Sequence, residues 1–333
     1  MKLIAETAWH HEGDFEFMKS LVNDLCQTPA DIIKLHLTLD KDEYMATDHA
    51  IYQEVDKWLL SASQWQNLIE IVRSNSKELM LLLNDVQAVE FASQFSPEYI
   101  EVHSVCLNDI HLLHAIKGSF SEQTPIILGV GGTDLYEIEA AINVLGHNNI
   151  IMMFGFQNYP TRCEDINFNK IRKIINLYPQ YQFGYADHTG WDHPDNLLIT
   201  VMGASLGMQY VEKHVTTLYG EKRTDWSAAI SIDMFNELAG KLVLLQQCNG
   251  DGSLKMNQGE KQYSIYGPMK KAAVFAQDVK KDQVLTLDML AFKRTGGISD
   301  LSQTDVLSKV GQKLASDMSQ GELVLIKHFS DNT

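Results

Sequence analysis

Short apolar runs alternate with longer amphipathic stretches over roughly the first three quarters of the chain, the pattern of repeated strand–helix units. The apolar runs are Leu3–Glu6, Asp31–Leu37, Leu79–Leu83, Tyr99–Ser104, Thr124–Val130, Ile150–Phe156, Gln182–Ala186 and Tyr210–Val215. Between them, apolar residues recur at helical spacing in Phe15–Cys26, Ser63–Ser74, Leu135–Leu145, Phe168–Leu177 and Asp195–Leu206, and again after the last run in Ile232–Gln247. A short helix is expected between the third and fourth runs. Eight strands, nearly all followed by a helix, over about 250 residues predict an α/β protein of the (β/α)8 TIM-barrel type. A doubly wound open sheet is the alternative, but no GxGxxG fingerprint follows the first strand. The GVGG stretch Gly129–Gly132 lacks that spacing and reads as a tight strand–helix turn.

After Gln247 the chain turns polar and glycine-bearing, CNGDGSLKMNQGEKQYS, which reads as a linker. The predicted division is a barrel domain over 1–250, a linker over 251–267 and a small β-rich domain over 268–333. Short β-like runs at Ala272–Phe275, Gln283–Leu285 and Leu323–Ile326 support the last of these. No internal repeat or low-complexity tract interrupts the pattern.

Charge and composition narrow the function classes. The net charge is −16, from 27 Lys and Arg against 43 Asp and Glu, which argues against a nucleic-acid or anionic-membrane surface. Any anionic substrate needs a pocket whose few cations override the overall field. Cys26, Cys106, Cys163 and Cys248 are scattered without a CxxC pair, excluding zinc-ribbon and redox motifs. No window approaches a membrane-spanning length, and the apolar start is too short for a signal peptide. A cytoplasmic location is the expectation.

In barrels of this kind the chemistry sits at the C-terminal strand ends. There the sequence offers Glu6 with His10, His11 and Glu12, then Lys34 with His36, His103 with Ser104, and Gln157 with Tyr159. The last two strands add Asp187 with His188, and Glu212, Lys213 and His214. Ionisable residues inside parallel strands are costly unless paired or liganded. His188 and His214 fall near the ends of adjacent strands, and two imidazoles suit a divalent zinc, manganese or iron ion. The bland alternative makes each a hydrogen-bonded histidine near the core. Strand alternation sends Glu212 and Lys213 in opposite directions, one to the lumen and one to the helices. Lys34 reads either as a snorkelling strand-edge residue or as an ammonium neutralising a phosphate or carboxylate. Asp225, taken alone, reads as loop solvation; Met152, Met153, Trp191 and Trp226 read as packing.

Several segments together resemble the sialic-acid (nonulosonic-acid) synthase family. They are IAETAWHHEGD near the start, NYPTRCED at 158–165, FGYADHTG, GASLGMQYVEKHVTT and KRTGGI at 293–298. In order they cover nearly the whole chain, the last matching the C-terminal antifreeze-like (SAF) domain. The resemblance implies a carbon–carbon bond-forming transferase. It condenses phosphoenolpyruvate with an N-acylated hexosamine, using a divalent metal: manganese first, magnesium or cobalt as alternatives. Residue by residue it implies His188 and His214 as metal ligands and, with Glu6, as the catalytic set. Lys34 and Ser104 would hold phosphoenolpyruvate, Tyr159 and Asp225 would line the sugar pocket, and Asp187 of the DHT motif joins the substrate-binding group. Arg294 would reach the sugar's N-acyl group across a domain-swapped homodimer. The implied reaction is attack of C3 of phosphoenolpyruvate on the open-chain aldehyde, water addition at C2, and loss of phosphate.

The chain departs from that pattern at the phosphate end. Glu101 replaces the lysine of strand four, Gly129 and Ala186 replace two serines, His36 replaces a glutamine and Gln157 an asparagine. Like charges at ~4 Å cost a few kcal/mol at an intermediate dielectric. Two other readings therefore stand beside the synthase: a metal-dependent aldolase or lyase for a non-phosphorylated keto acid, and a catalytically silent sugar- or partner-binding homologue.

Overall fold

The computed structural model describes residues 1–146 and 149–329, so positions 330–333 of the expected second domain lie outside the described residues. The chain divides into two compact units, Met1–Asn249 and Gly250–Thr333.

The first unit is a closed parallel barrel. Its strands are β1 (Lys2–Glu6), β2 (Ile32–Leu37), β3 (Glu78–Leu83), β4 (Tyr99–Val102), β5 (Ile126–Gly129), β6 (Ile150–Phe154), β7 (Gln182–Ala186) and β8 (Tyr210–Thr216). Each pairs with the next, and β1 closes the ring against β8. A two-residue strand, β9 (Ile230–Ser231), pairs in parallel with the end of β8. All eight apolar runs of the sequence form these strands, and helices cover the outside as the barrel reading expects.

Strand alternation sorts the side chains into two layers. One set, including Leu35, Leu81, Ile100, Leu128 and Val211, packs beneath the helices with Trp65 and Phe235. The other fills the lumen: Ile4, Ile32, Met80, Tyr99, Ile127, Ile151, Met153, Ala186 and Tyr210. Two residues further along several strands, the lumen side changes from hydrocarbon to ionisable. Ile4 leads to Glu6, Ile32 to Lys34 and His36, Tyr99 to Glu101, and Tyr210 to Glu212 and His214. Register then sets these groups side by side, with Glu6 opposite Lys34 on one flank and His214 on the other.

The helices begin where side-chain caps satisfy the first backbone amides. Asp14 accepts from Phe17 N, and Ser61 with Gln64 and Asp134 with Glu137 form reciprocal capping boxes. Helix Asn196–Ala204 approaches β7 closely because position 203 is glycine: a Cβ there would lie 2.2 Å from the Tyr185 ring. Two short helices, Lys41–Tyr44 and Tyr52–Trp58, occupy the segment after β2 that the sequence pattern marks as loop.

The second unit has its own core around Phe275, Val279, Leu285, Val306, Leu314 and Val324. Its antiparallel pair is β10 (Ala272–Phe275) with β11 (Leu290–Lys293). The runs at Gln283–Leu285 and Leu323–Ile326 make only isolated bridges, Val284 to Lys313 and Val274 to Leu323. Within the expected linker, Gln258–Gln262 is a helical turn capped by Asn257 and Glu260.

Candidate active site

Glu6, His188 and His214 converge at the C-terminal mouth of the barrel. His214 Nε2 lies 3.0 Å from Glu6 Oε2 and 3.2 Å from His188 Nε2, and one ligand atom from each residue falls within 4.8 Å of the others. His188 Nδ1 is 2.8 Å from the Ala186 carbonyl oxygen. A carbonyl can only accept, so Nδ1 carries the hydrogen and Nε2 presents a lone pair. Burial, then the neighbouring His214, holds His188 neutral, well below its ordinary range. Burial and the nearby Lys34 and Lys213 charges lower His214 to about 3. Two buried neutral imidazoles and a carboxylate are a donor set that fits a divalent transition metal, with the Ala186 carbonyl as the outer contact that orients one ring.

Beneath the triad lies a buried ionic cluster. Lys34 Nζ is 2.7 Å from Glu101, 2.9 Å from Glu212 and 3.3 Å from Glu6, all four side chains no more than 5% exposed. Burial disfavours the ammonium charge, but the three carboxylates outweigh it and hold Lys34 charged above its ordinary range. Burial pushes the carboxyls of Glu101 and Glu212 up to about 8, against the opposing pull of Lys34. The lysine that the sequence assigns to phosphate is thus enclosed by acids.

The mouth opens into a cavity of about 380 Å³. Its wall is a chain of rings: Trp9 to His36 at 5.6 Å, His36 to His103 at 5.9 Å, His103 to Phe156 and Phe156 to His188 at 5.0 Å each. His103 Nδ1 accepts the Val105 amide at 3.2 Å; neither nitrogen of buried His36 has a partner among the described residues. Burial lowers both, His103 to about 3 and His36 well below its usual value. Tyr44, Met45, Ile51, Val55 and Trp58 supply an apolar outer wall from the two short helices and the loop between them.

Three more expected residues line this cavity: Ser104, Tyr159 and Asp225. The Tyr159 hydroxyl donates to the Asp225 carbonyl oxygen, and Asp225 Oδ2 accepts the Trp9 amide at 3.0 Å. Burial pushes the Asp225 carboxyl up to about 6. Gly129 also lines the cavity, and a Cβ there would lie 2.7 Å from Ser104 N.

Two expected residues are elsewhere. Asp187 does not reach the cavity. It points to the helix side of β7, where it binds Lys213 at 2.9 Å and the Thr189 and Thr200 hydroxyls at 2.8 Å each. Lys213 also reaches Asn196 at 2.9 Å. A strand residue next to an inward His188 must face outward, so substrate contact by Asp187 is corrected to a buried structural role. Arg294 lies exposed in the second unit, its guanidinium donating to the Pro268 carbonyl at 2.5 and 2.9 Å. Sequence reasoning did not single out Trp9, Trp58 or Phe156, which carry no reactive group; their signal is an aromatic just past a strand end or in the β2 insertion.

Comparison with known proteins agrees with this architecture. The chain is 25% identical to N,N'-diacetyllegionaminic acid synthase of Campylobacter jejuni, over 93% of this chain and 96% of that one. It is 22% identical to human N-acetylneuraminate-9-phosphate synthase, over 97% of this chain and 91% of the other. In structure it resembles a Chromobacterium violaceum protein provisionally assigned to spore coat polysaccharide biosynthesis. The TM-score is 0.81 at 17% identity, covering 98% of this chain and 99% of that one. The legionaminic-acid and N-acetylneuraminate-9-phosphate relatives are synthases, and this chain is a carbon–carbon bond-forming transferase of their sialic-acid-synthase-like class. The NeuB family model matches residues 27–254, most of the chain, and the chain therefore belongs to the NeuB family.

Proposed function

We propose that the barrel catalyses divalent-metal-dependent condensation of a three-carbon enol donor with the aldehyde of an N-acylated hexosamine, giving a nonulosonic acid. The convergence of Glu6, His188 and His214 at one mouth carries this reading. When bound there, a cation such as manganese, magnesium or cobalt supplies Lewis-acid polarisation of a carbonyl. The protein's own groups do the rest. Glu6 and the neutral imidazoles face the cation's place, with the Lys34 ammonium 3.3 Å behind Glu6, and Tyr159 and Asp225 offer a hydroxyl and a carboxylate to a polyhydroxylated acceptor.

Phosphoenolpyruvate is the donor that the motif resemblance implies. The acceptor and metal half of that reading is what the site supports; the donor half is where this chain departs. The same reading takes the second unit as an SAF-type domain, with Arg294 serving the acceptor in a homodimer. Incubating manganese-loaded protein with each donor and a panel of N-acylated hexosamines tests the function. Mass spectrometry should find a nine-carbon 2-oxo acid; no adduct with any pair contradicts the reading.

A further inference from the structure

We propose that Glu12 is a positioning residue for the acceptor: it clasps the loop after β8 to the loop after β1 and so sets the direction of the Asp225 carboxylate. This rests on the acceptor role given to Asp225 above and adds a residue that itself touches no substrate.

The two loops meet at two points. After β1 the chain makes a tight turn in which the Glu12 amide donates to the Trp9 carbonyl oxygen at 3.1 Å. Each end of that turn grips the loop after β8. The Trp9 amide donates to Asp225 Oδ2 at 3.0 Å. Glu12 Oε1 accepts the Thr224 amide at 2.6 Å and the Thr224 hydroxyl at 3.0 Å. The other Glu12 oxygen, Oε2, faces Arg223, whose Nε lies 3.6 Å away. The Arg223 guanidinium in turn lies 4.5 Å from the centre of the Phe17 ring, so helix Phe15–Cys26 backs the clasp. A carboxylate that accepts an N–H and an O–H while facing a guanidinium makes charge-assisted bonds, the stronger kind. The residue it holds, Thr224, directly precedes Asp225.

The backbone carries the mark of this arrangement. Glu12 and Asp225 are both non-glycine residues in the left-handed region, at φ 45° and 62°. That conformation is disfavoured for a residue with a Cβ and persists where surrounding contacts fix it. For Asp225 the contacts are the Trp9 amide on its carboxylate and the Tyr159 hydroxyl on its carbonyl oxygen. For Glu12 they are Thr224 and Arg223. A glycine at position 12 would adopt the same φ without strain; the chain instead places there a carboxylate that reaches Thr224.

Glu12 stands apart from the Glu6, His188 and His214 group that could hold a cation. Trp9, Thr224 and Asp225 all line the cavity. Loss of the Glu12 carboxylate therefore frees the acceptor side of the mouth and leaves the cation's ligands in place.

The full chain, loaded with manganese, tests this. Glu12→Gly removes the clasp but also relieves the left-handed strain, so its melting temperature should stay within about 5 °C of the unaltered chain's. Its affinity for N-acetylhexosamines in calorimetry should fall about tenfold, the size of a lost charge-assisted hydrogen bond. In turnover the acceptor KM should rise by the same factor with kcat little changed. Manganese affinity should not move, and hydrogen exchange at the Thr224 amide should quicken. Glu12→Gln keeps an oxygen for Thr224 and should hold acceptor affinity within about threefold. Unchanged hexosamine affinity in Glu12→Gly despite faster Thr224 exchange would overturn the proposal. Equal weakening in Glu12→Gly and Glu12→Gln would also overturn it, tracing the effect to charge instead of the clasp. Binding of no hexosamine by the unaltered chain, with its Thr224 amide protected, would remove the acceptor role of Asp225 itself and leave Glu12 a loop clasp alone.

Discussion

Lys34 and Glu101 meet at 2.7 Å inside a barrel lumen that also holds Glu6 and Glu212 within 3.3 Å of the same nitrogen. One ammonium therefore serves three acids, and each acid depends on it. Lys34 is the group that pulls Glu101 and Glu212 down toward about 8, so without it both take up protons at neutral pH. Lys34→Met should therefore cost less at pH 7 than the ~3–5 kcal/mol of a stripped buried charge pair, and approach it above pH 8. Urea unfolding at the two pH values measures it, and an equal loss at both would mean the acids stay ionised without Lys34.

The same cluster should give the barrel an unusual pH dependence. The Glu101 carboxyl releases its proton near its ordinary 4.5 when unfolded but is held up to about 8 in the fold. A raised folded value means its contribution is fully present below 4.5 and is lost as pH rises through about 8. Buried histidines such as His214, lowered to about 3, act oppositely, their contribution being lost as pH falls below 6.5 toward that value. The difference between the unaltered chain and Glu101→Gln isolates the acid. The unaltered chain's advantage should shrink between pH 5 and 8.5; parallel pH curves would refute the shift.

Asp187 and Lys213 should behave as a structural pair. Asp187→Asn or Lys213→Met alone should cost about 3–5 kcal/mol. Together they should cost less than the sum, with a coupling of roughly 0.5–3 kcal/mol. The acceptor KM of folded Asp187→Asn should stay close to that of the unaltered chain. A large KM increase with unchanged stability would return Asp187 to the substrate.

Much of this molecule is legible in its residue pattern, because a parallel barrel writes each strand as an apolar run and each helix as an amphipathic one. Phe15–Cys26, Leu135–Leu145 and Phe168–Leu177 are helices at the expected bounds. The opposed directions of Glu212 and Lys213 follow from alternation alone. Alternation also assigns Asp187 outward once His188 is inward, a step the motif resemblance obscured. The Lys34 cluster was not legible in the same way, since its acids come from β1, β4 and β8 and meet only when the barrel closes. The short helices after β2 escaped because each is under two turns, too brief for periodicity. In the second unit, Gln283–Leu285 and Leu323–Ile326 look like strands but pair through single bridges, where tertiary closure replaces a ladder.

The central claim is that Glu6, His188 and His214 together hold one divalent cation. Manganese titration followed by electron paramagnetic resonance tests it on the unaltered chain and on His188→Ala and His214→Ala, with circular dichroism to verify folding. One tightly bound ion per chain is expected, with affinity falling at least about tenfold in each folded variant. Equal affinity in all three proteins would contradict the account.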